Sequence, residues 1–405
     1  THRERWSLAA EKAVIDLVKP VFFLAVFVEH LSYAFLPGMM VQAVAREGLP
    51  SAFASMPFAL YYLVFALALV PAGRLERRLG AKTLMVAGLI AAGGGLAMLT
   101  FSHDFWVAVA ARTLSGLGQG VLFIGVQAYV LANSSAAHRT QAGGAIVFGF
   151  QAGMIGGMAI GSLLVSYMGP EGVFTLAASI AILTALYGWV LLPRQLSGSE
   201  SAPSMHAAWR EMIGILRDAS FMRSILLVGM PAKAVLTGVI LFAMPLLLAQ
   251  QGYAKEDVGQ ITMLYATAVI LASHYAAQRT DRTADTESIL FWGTTVTAIG
   301  LAMVASVSMI DANANVGLAT LLIVGGVILV GIAHGCINAP IVTHVAQCEA
   351  AGLYGMANAA ATYRLMERVG HVLGPVIVGQ IFLHFGTSWT TLGWIAGCVF
   401  LLGML

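Results

Sequence analysis

Charge is scarce in this sequence. Asp, Glu, Lys and Arg make up 10% of its 405 residues against 59% hydrophobic residues, a mix that argues against a soluble domain. Cysteine is nearly missing. Cys336, Cys348 and Cys398 sit in or beside apolar runs with no spaced framework, which argues against a disulfide scaffold or a zinc site. A net charge of +2, with most of its basic residues in loops, gives no footprint for nucleic acid. There is no G-x-x-x-x-G-K-[ST] phosphate loop, so no nucleotide cofactor is expected, and no H-E-x-x-H or G-x-S-x-G pattern to support an intramembrane enzyme. The ten-residue alternating segments of an outer-membrane barrel are lacking too. The first residue is not Met, and THRERWSLAAEKAVIDLVK has neither the apolar centre nor the cleavage site of a signal peptide. Residues 1–18 therefore read as a cytoplasmic amphipathic segment, inside a longer gene product or left after trimming.

What the sequence has in abundance is apolar runs of about 20 residues, the length that crosses a bilayer core as helix. They fall near 19–45, 53–73, 82–102, 105–133, 140–168 and 171–192, then near 221–250, 257–278, 288–309, 316–346, 354–384 and 388–405. The expected class is an all-α membrane protein with twelve transmembrane helices. Positive charge gathers in alternate loops, at Arg74, Arg77, Arg78 and Lys82, at Arg139, at Arg194, Arg210, Arg217 and Arg223, and at Arg279 and Arg282. These loops and both termini are expected in the cytoplasm of a bacterium, with the chain in its inner membrane. The one long polar break begins with Ser, Pro and Gly and ends as an amphipathic surface helix. It divides the chain into six-helix bundles 19–193 and 221–405 joined by a cytoplasmic linker, 194–220. The bundles read as pseudo-symmetric copies, since GLGQGVLFIGVQAYV aligns with GIAHGCINAPIVTHV through Gly116 with Gly331 and Gly120 with Gly335.

Three local motifs carry a resemblance. GRLERRLGAK, through Gly73, Leu75, Arg78, Gly80 and Lys82, resembles the G-x-L-A-D-R-x-G-R-R signature of the major facilitator superfamily, with Arg77 where the family has Asp. The corresponding stretch of the second half supplies an acidic-basic pair, Asp281 and Arg282. ARTLSGLGQG resembles the family's R-x-x-x-G-x-G signature through Arg112, Gly116, Gly118 and Gly120. Gly370, Gly374 and Pro375 resemble its G-x-x-x-G-P signature, which span five, with Gly149, Gly153, Gly157 and Gly161, matches without the proline. The resemblance implies the major facilitator fold, a small-molecule substrate, alternating access, and gating roles for Gly73, Arg78, Gly80, Asp281 and Arg282. VKPVFFLAVFVEHLSYAFLP, GMPAKAVLTGVILFAMPLLL and YRLMERVG are also similar to a bacterial subset in which the transporter-like domain follows an N-terminal sensory region, a partner this chain could have upstream.

Charge inside the spans is the remaining signal. YRLMERVGHVLGP places Arg364, Glu367, Arg368 and His371 at steps of three and four, which puts them on one helix face. At about 1.5 Å per residue, Arg364 lies about 14 Å deep, Glu367 about 18 Å and His371 about 24 Å. The same count puts Glu29 at about 15 Å, Lys233 at about 17 Å and Arg112 at about 10 Å from the opposite surface. Such groups are expensive against lipid and must face protein or a cavity. The resemblance implies that spans one, four, seven and ten line the central cavity with span eleven behind, so that these charges meet at one level between the halves. Arg112, Lys233, Arg364 and Arg368 outnumber Glu29 and Glu367, a surplus that favours an anionic substrate. Tyr33, His334 and Asn338 are candidate substrate contacts. Glu29, Glu367 and His371 are candidate proton carriers, with His30 and His334 as possible relays. Ion pairs that only tie helices together are the competing reading, and a ligand sensor on the same fold is the competing function.

Overall fold

The structure, a computed structural model, describes residues 2–133, 139–194, 205–283, 285–338 and 340–405. Helices account for nearly all of the described residues, and there is no strand among them. Eight described helical segments are long and apolar enough to cross a membrane. One of them, Phe148–Leu191, holds two crossings, because Gly169 takes φ 68° and ψ 174° and Pro170 follows it. Only glycine reaches that backbone region readily, and the proline removes the next helical N–H. With His2–His30, Lys255–Thr283 and the shorter Trp389–Met404, the elements fit twelve spans. Asp16, Lys19 and Glu29 interrupt the apolar stretch of the first, and Gln260, His274 and several threonines dilute that of the second.

Several boundaries differ from the sequence reading for local reasons. Segment 1–18 is continuous with span one in a single helix, His2–His30. That span breaks at 31–35 before resuming as Leu36–Arg46. The break precedes Pro37, whose ring and missing N–H oppose helix through the preceding turn. Span two runs to Leu79, so Gly73 and Arg78 stand on helix, and the connection to span three narrows to Gly80 at φ 84°. In span seven, Lys233 stands on a short α-helical piece, Met230–Ala234, between the π-helical stretches Ile225–Gly229 and Val235–Ala243. Of the linker, 195–204 lie outside the described residues, and Met205–Leu216 is a helix.

Contacts group the chain into two units, 1–43 with 60–200 and 44–59 with 201–405. Within each unit the same seams recur. A Cβ on Gly116 would meet the Tyr61 carbonyl and one on Gly120 the Phe65 carbonyl, while Gly331 and Gly335 face the Tyr265 and Val269 carbonyls. Gly157 and Gly161 press on the carbonyls of Phe27 and Leu31, as Gly370 and Gly374 press on those of Met230 and Ala234. Paired helices approach backbone to backbone at these points, the packing that small residues at spacing four permit within a bilayer. The repeated seams also align His30 with Lys233, since their Cβ atoms lie against Gly157 and Gly370 respectively.

Candidate functional site

Each unit encloses one cluster of ionisable side chains. In the first, Arg112 of span four is fully buried and donates from Nη1 to Glu29 Oε1 of span one. Its Nη2 donates to Tyr33 Oη at 3.1 Å, and the guanidinium lies 4.3 Å from the Tyr61 ring centroid and 5.6 Å from that of Tyr33. The ring faces supply negative electrostatic potential and the carboxylate a full counter-charge, and a buried cation needs such compensation. The opposite oxygen, Glu29 Oε2, is buried without a hydrogen-bond partner among the described residues. His30 donates from Nδ1 to the Val26 carbonyl at 2.8 Å and stacks on Tyr33 with centroids 4.7 Å apart. Gln119, two turns beyond Arg112, donates to the Ala25 carbonyl at 2.8 Å and fixes span four against span one.

In the second unit, Glu367 of span eleven is the centre. Its Oε1 lies 3.3 Å from Arg364 Nη1 and its Oε2 lies 3.8 Å from Lys233 Nζ. Lys233 donates to Asn338 Oδ1 of span ten at 3.1 Å, so three spans converge on one ammonium. Arg368 and His371 lie within electrostatic reach of Glu367. His371 contacts the Glu367 carbonyl through Nδ1 at 3.1 Å, and Thr237 donates to the His371 carbonyl at 2.9 Å. His334 is buried and hydrogen-bonded through Nδ1 to Tyr265 Oη at 2.7 Å, while its Nε2 has no partner among the described residues. Arg364 stands at the border of this group, its side chain 54% exposed where that of Glu367 is 5% exposed.

The family model described as Major Facilitator Superfamily matches residues 22–362. The chain belongs to this superfamily. Among curated proteins it is similar to the multidrug resistance protein MdtG of Dickeya zeae (strain Ech586), 27% identical over 205 residues, 48% of this chain and 49% of that protein. It is also similar to the inner membrane transport protein YajR of Escherichia coli (strain K12), 27% identical over 157 residues, 38% of this chain and 34% of that protein. The match thus spans about half the length of the first relative and a third of the second. Among solved structures, a POT family transporter in complex with a thioalcohol-conjugated peptide aligns with TM-score 0.76 at 11% identity, covering 96% of this chain and 94% of that one. The nucleoside transporter NupG, as a point mutant, aligns with TM-score 0.71 at 15% identity over 96% and 98%. At such identities the two structures establish the shared fold alone.

For this superfamily member the sequence-predicted residues divide cleanly by unit. Glu29, Arg112 and Tyr33 meet in the first. Lys233, Asn338, Arg364 and Glu367 meet in the second, with Arg368, His371 and His334 around them. Of the gating residues, Gly73 and Arg78 lie on the end of span two, Gly80 forms the connection, and Arg282 is exposed in the last turn of Lys255–Thr283. The side chain of Asp281 lies outside the described residues. Sequence reasoning missed Tyr61, under the Arg112 guanidinium, and Tyr265, the partner of His334. The glycine seams contain a signal for both, because Gly116 and Gly331 lie against these two tyrosines.

Proposed function

We propose that this protein is a secondary active transporter that moves a small anionic or amphiphilic organic substrate across the bacterial inner membrane by alternating access, coupled to protons. The observation that carries the substrate class is the charge balance of the second unit. Lys233, Arg364 and Arg368 lie around the buried carboxylate of Glu367. A unit charge about 4 Å from one of these cations gains about 4 kcal/mol at an effective dielectric of about 20, before desolvation is subtracted. Within the second unit Lys233 and Asn338 are assigned as substrate contacts, with His334 as a further polar contact. The proton role falls to Glu29, whose second oxygen is buried and unpaired while the first is held by Arg112. Protonation there neutralises the carboxylate that holds Arg112 and so frees the guanidinium from its partner. Glu367, between Lys233 and Arg364, serves the binding cluster, and His371 is assigned as its neighbour in proton relay.

The relatives' names support transport, and the absence of a nucleotide-binding loop supports an ion gradient as its energy source. Proteoliposomes with an internal pH indicator test the reading. A proton flux triggered by an organic anion, and lost in Glu29→Gln, is the expected result; substrate flux indifferent to an imposed pH gradient would remove the coupling, and binding without flux would favour the sensor.

A further inference from the structure

A groove of about 470 Å³ opens on the second unit, away from the Lys233 cluster, where spans eight, nine and ten come together near the connection between eight and nine. Its size falls in the range of about 300 to 1,000 Å³ typical of small-molecule sites. The walls are of two kinds. Arg279, from the last turns of span eight, and Asp285, which caps the start of span nine, stand at the polar end. Tyr275, Trp292 and Ile332 line the apolar part and are 61%, 61% and 39% exposed. In a chain whose spans cross a bilayer, such exposed apolar surface faces acyl chains, and Trp and Tyr gather at headgroup level. Cys336 lines the groove as well.

We propose that this groove holds one glycerophospholipid with a primary-ammonium headgroup, a phosphatidylethanolamine, as a structural ligand. Arg279 takes the phosphate, Asp285 takes the ammonium, and one acyl chain lies along Trp292 and Ile332. Charge complementarity selects this headgroup over the alternatives. An anionic lipid would satisfy Arg279 but set its surplus negative charge against the Asp285 carboxylate. A choline headgroup carries no N–H to donate to that carboxylate, so it forfeits the charge-assisted hydrogen bond. Asp285 is available as an anion. Its Oδ1 accepts the Ser288 N–H at 3.1 Å, and this bond first, then the Ser288 hydroxyl, with a smaller contribution from Arg279, holds its carboxyl below the usual range. Guanidinium and aromatic groups flanking an interhelical pocket at one membrane surface are the general features of lipid headgroup recognition.

Native mass spectrometry of the detergent-purified protein, equilibrated with equal amounts of dioleoyl phosphatidylethanolamine, phosphatidylglycerol and phosphatidylcholine, tests this. The wild type should retain one phosphatidylethanolamine in preference to the others. Arg279→Gln, at an exposed side chain, should lower that retention about tenfold, the factor one charge-assisted contact commands. Ile332→Trp, which fills the groove without touching charge, should lower it comparably. Asp285→Asn keeps a residue competent to cap the helix and should shift preference toward phosphatidylglycerol. Unchanged retention in both Arg279→Gln and Ile332→Trp overturns the site. Equal or better retention of phosphatidylglycerol or phosphatidylcholine by the wild type overturns the headgroup assignment. The readout is independent of flux, so it stands or falls apart from the transport proposal.

Discussion

Arg112 and Glu29 form an ion pair with side chains 1% and 2% exposed, one from span four and one from span one. A pair so deeply enclosed is held less by its Coulomb energy than by the cost of breaking it. Removing one partner leaves a desolvated charge, a loss of about 3 to 5 kcal/mol, whereas removing both can be nearly neutral.

That asymmetry gives the first prediction. Glu29→Leu and Arg112→Met, each alone, should lower the thermal unfolding midpoint of the detergent-solubilised protein, and the double variant should recover much of the loss. Additive losses in the double-mutant cycle would show that the two side chains do not share a pair.

Lys233 is held by Glu367 and Asn338 at 3.8 and 3.1 Å. Lys233→Ala should weaken binding of an anionic ligand about tenfold or more, the value of a contact to a charged group, while a neutral isostere of the ligand binds as before. Isothermal calorimetry on both compounds checks it. Unchanged binding of a confirmed anionic ligand removes Lys233 from the site.

The glycine seams predict a contrast. A Cβ on Gly374 would fall onto the Ala234 carbonyl, whereas Gly397, inside the helix Trp389–Met404, has nothing within 4 Å. Gly374→Ala should destabilise by about 1 to 3 kcal/mol through overpacking. Gly397→Ala should be neutral or stabilising by up to about 1 kcal/mol, the helix-propensity difference. Unfolding midpoints of the two variants decide the matter, and equal midpoints would contradict the close seam.

Asp218 ties the helix Ala219–Ser224 to the helix Glu349–Tyr354, accepting the Phe221 N–H at 3.0 Å through Oδ1 and the Ala350 N–H at 2.8 Å through Oδ2. Burial pushes its carboxyl up, but the N–H groups of Phe221, Ala350 and Ser220 together outweigh this and hold its pKa below the ordinary 3.8. A depressed carboxyl pKa contributes stability that is present above the unfolded value and lost as pH falls through the folded one. The wild type should therefore lose more stability than Asp218→Asn as pH is lowered from 5 through the acid range below 3.8. Parallel pH profiles for the two proteins would exclude the contribution.

The spans and the seams were legible in the sequence because both are written in composition: long apolar runs, and glycines at spacing four. Buried charge was legible for a related reason, since an ionisable residue deep in a run has few places to go. Less legible were features that depend on a neighbouring helix. Tyr61 reads as one more aromatic residue in an apolar run until Arg112 is seen above its ring. Arg364 shares a helical face with Glu367 by count, yet the packing leaves it half exposed. Local breaks were hard for a different reason: at 31–35 and at Gly80 the decisive factor is one proline or one glycine inside an otherwise continuous pattern. The repeat also separates scaffold from chemistry. By the register of Gly157 and Gly370, the counterparts of Lys233 and Glu367 in the first unit are His30 and Met154. The seams are thus shared while the charges are not.

Internal pH of proteoliposomes, followed while a panel of small organic anions is added outside, tests proton-coupled anion transport most directly. The account predicts a proton flux triggered by at least one anion in the wild type and absent in Glu29→Gln, with that anion still bound by the variant. A substrate flux that persists unchanged in Glu29→Gln, or that ignores an imposed pH gradient, would contradict it.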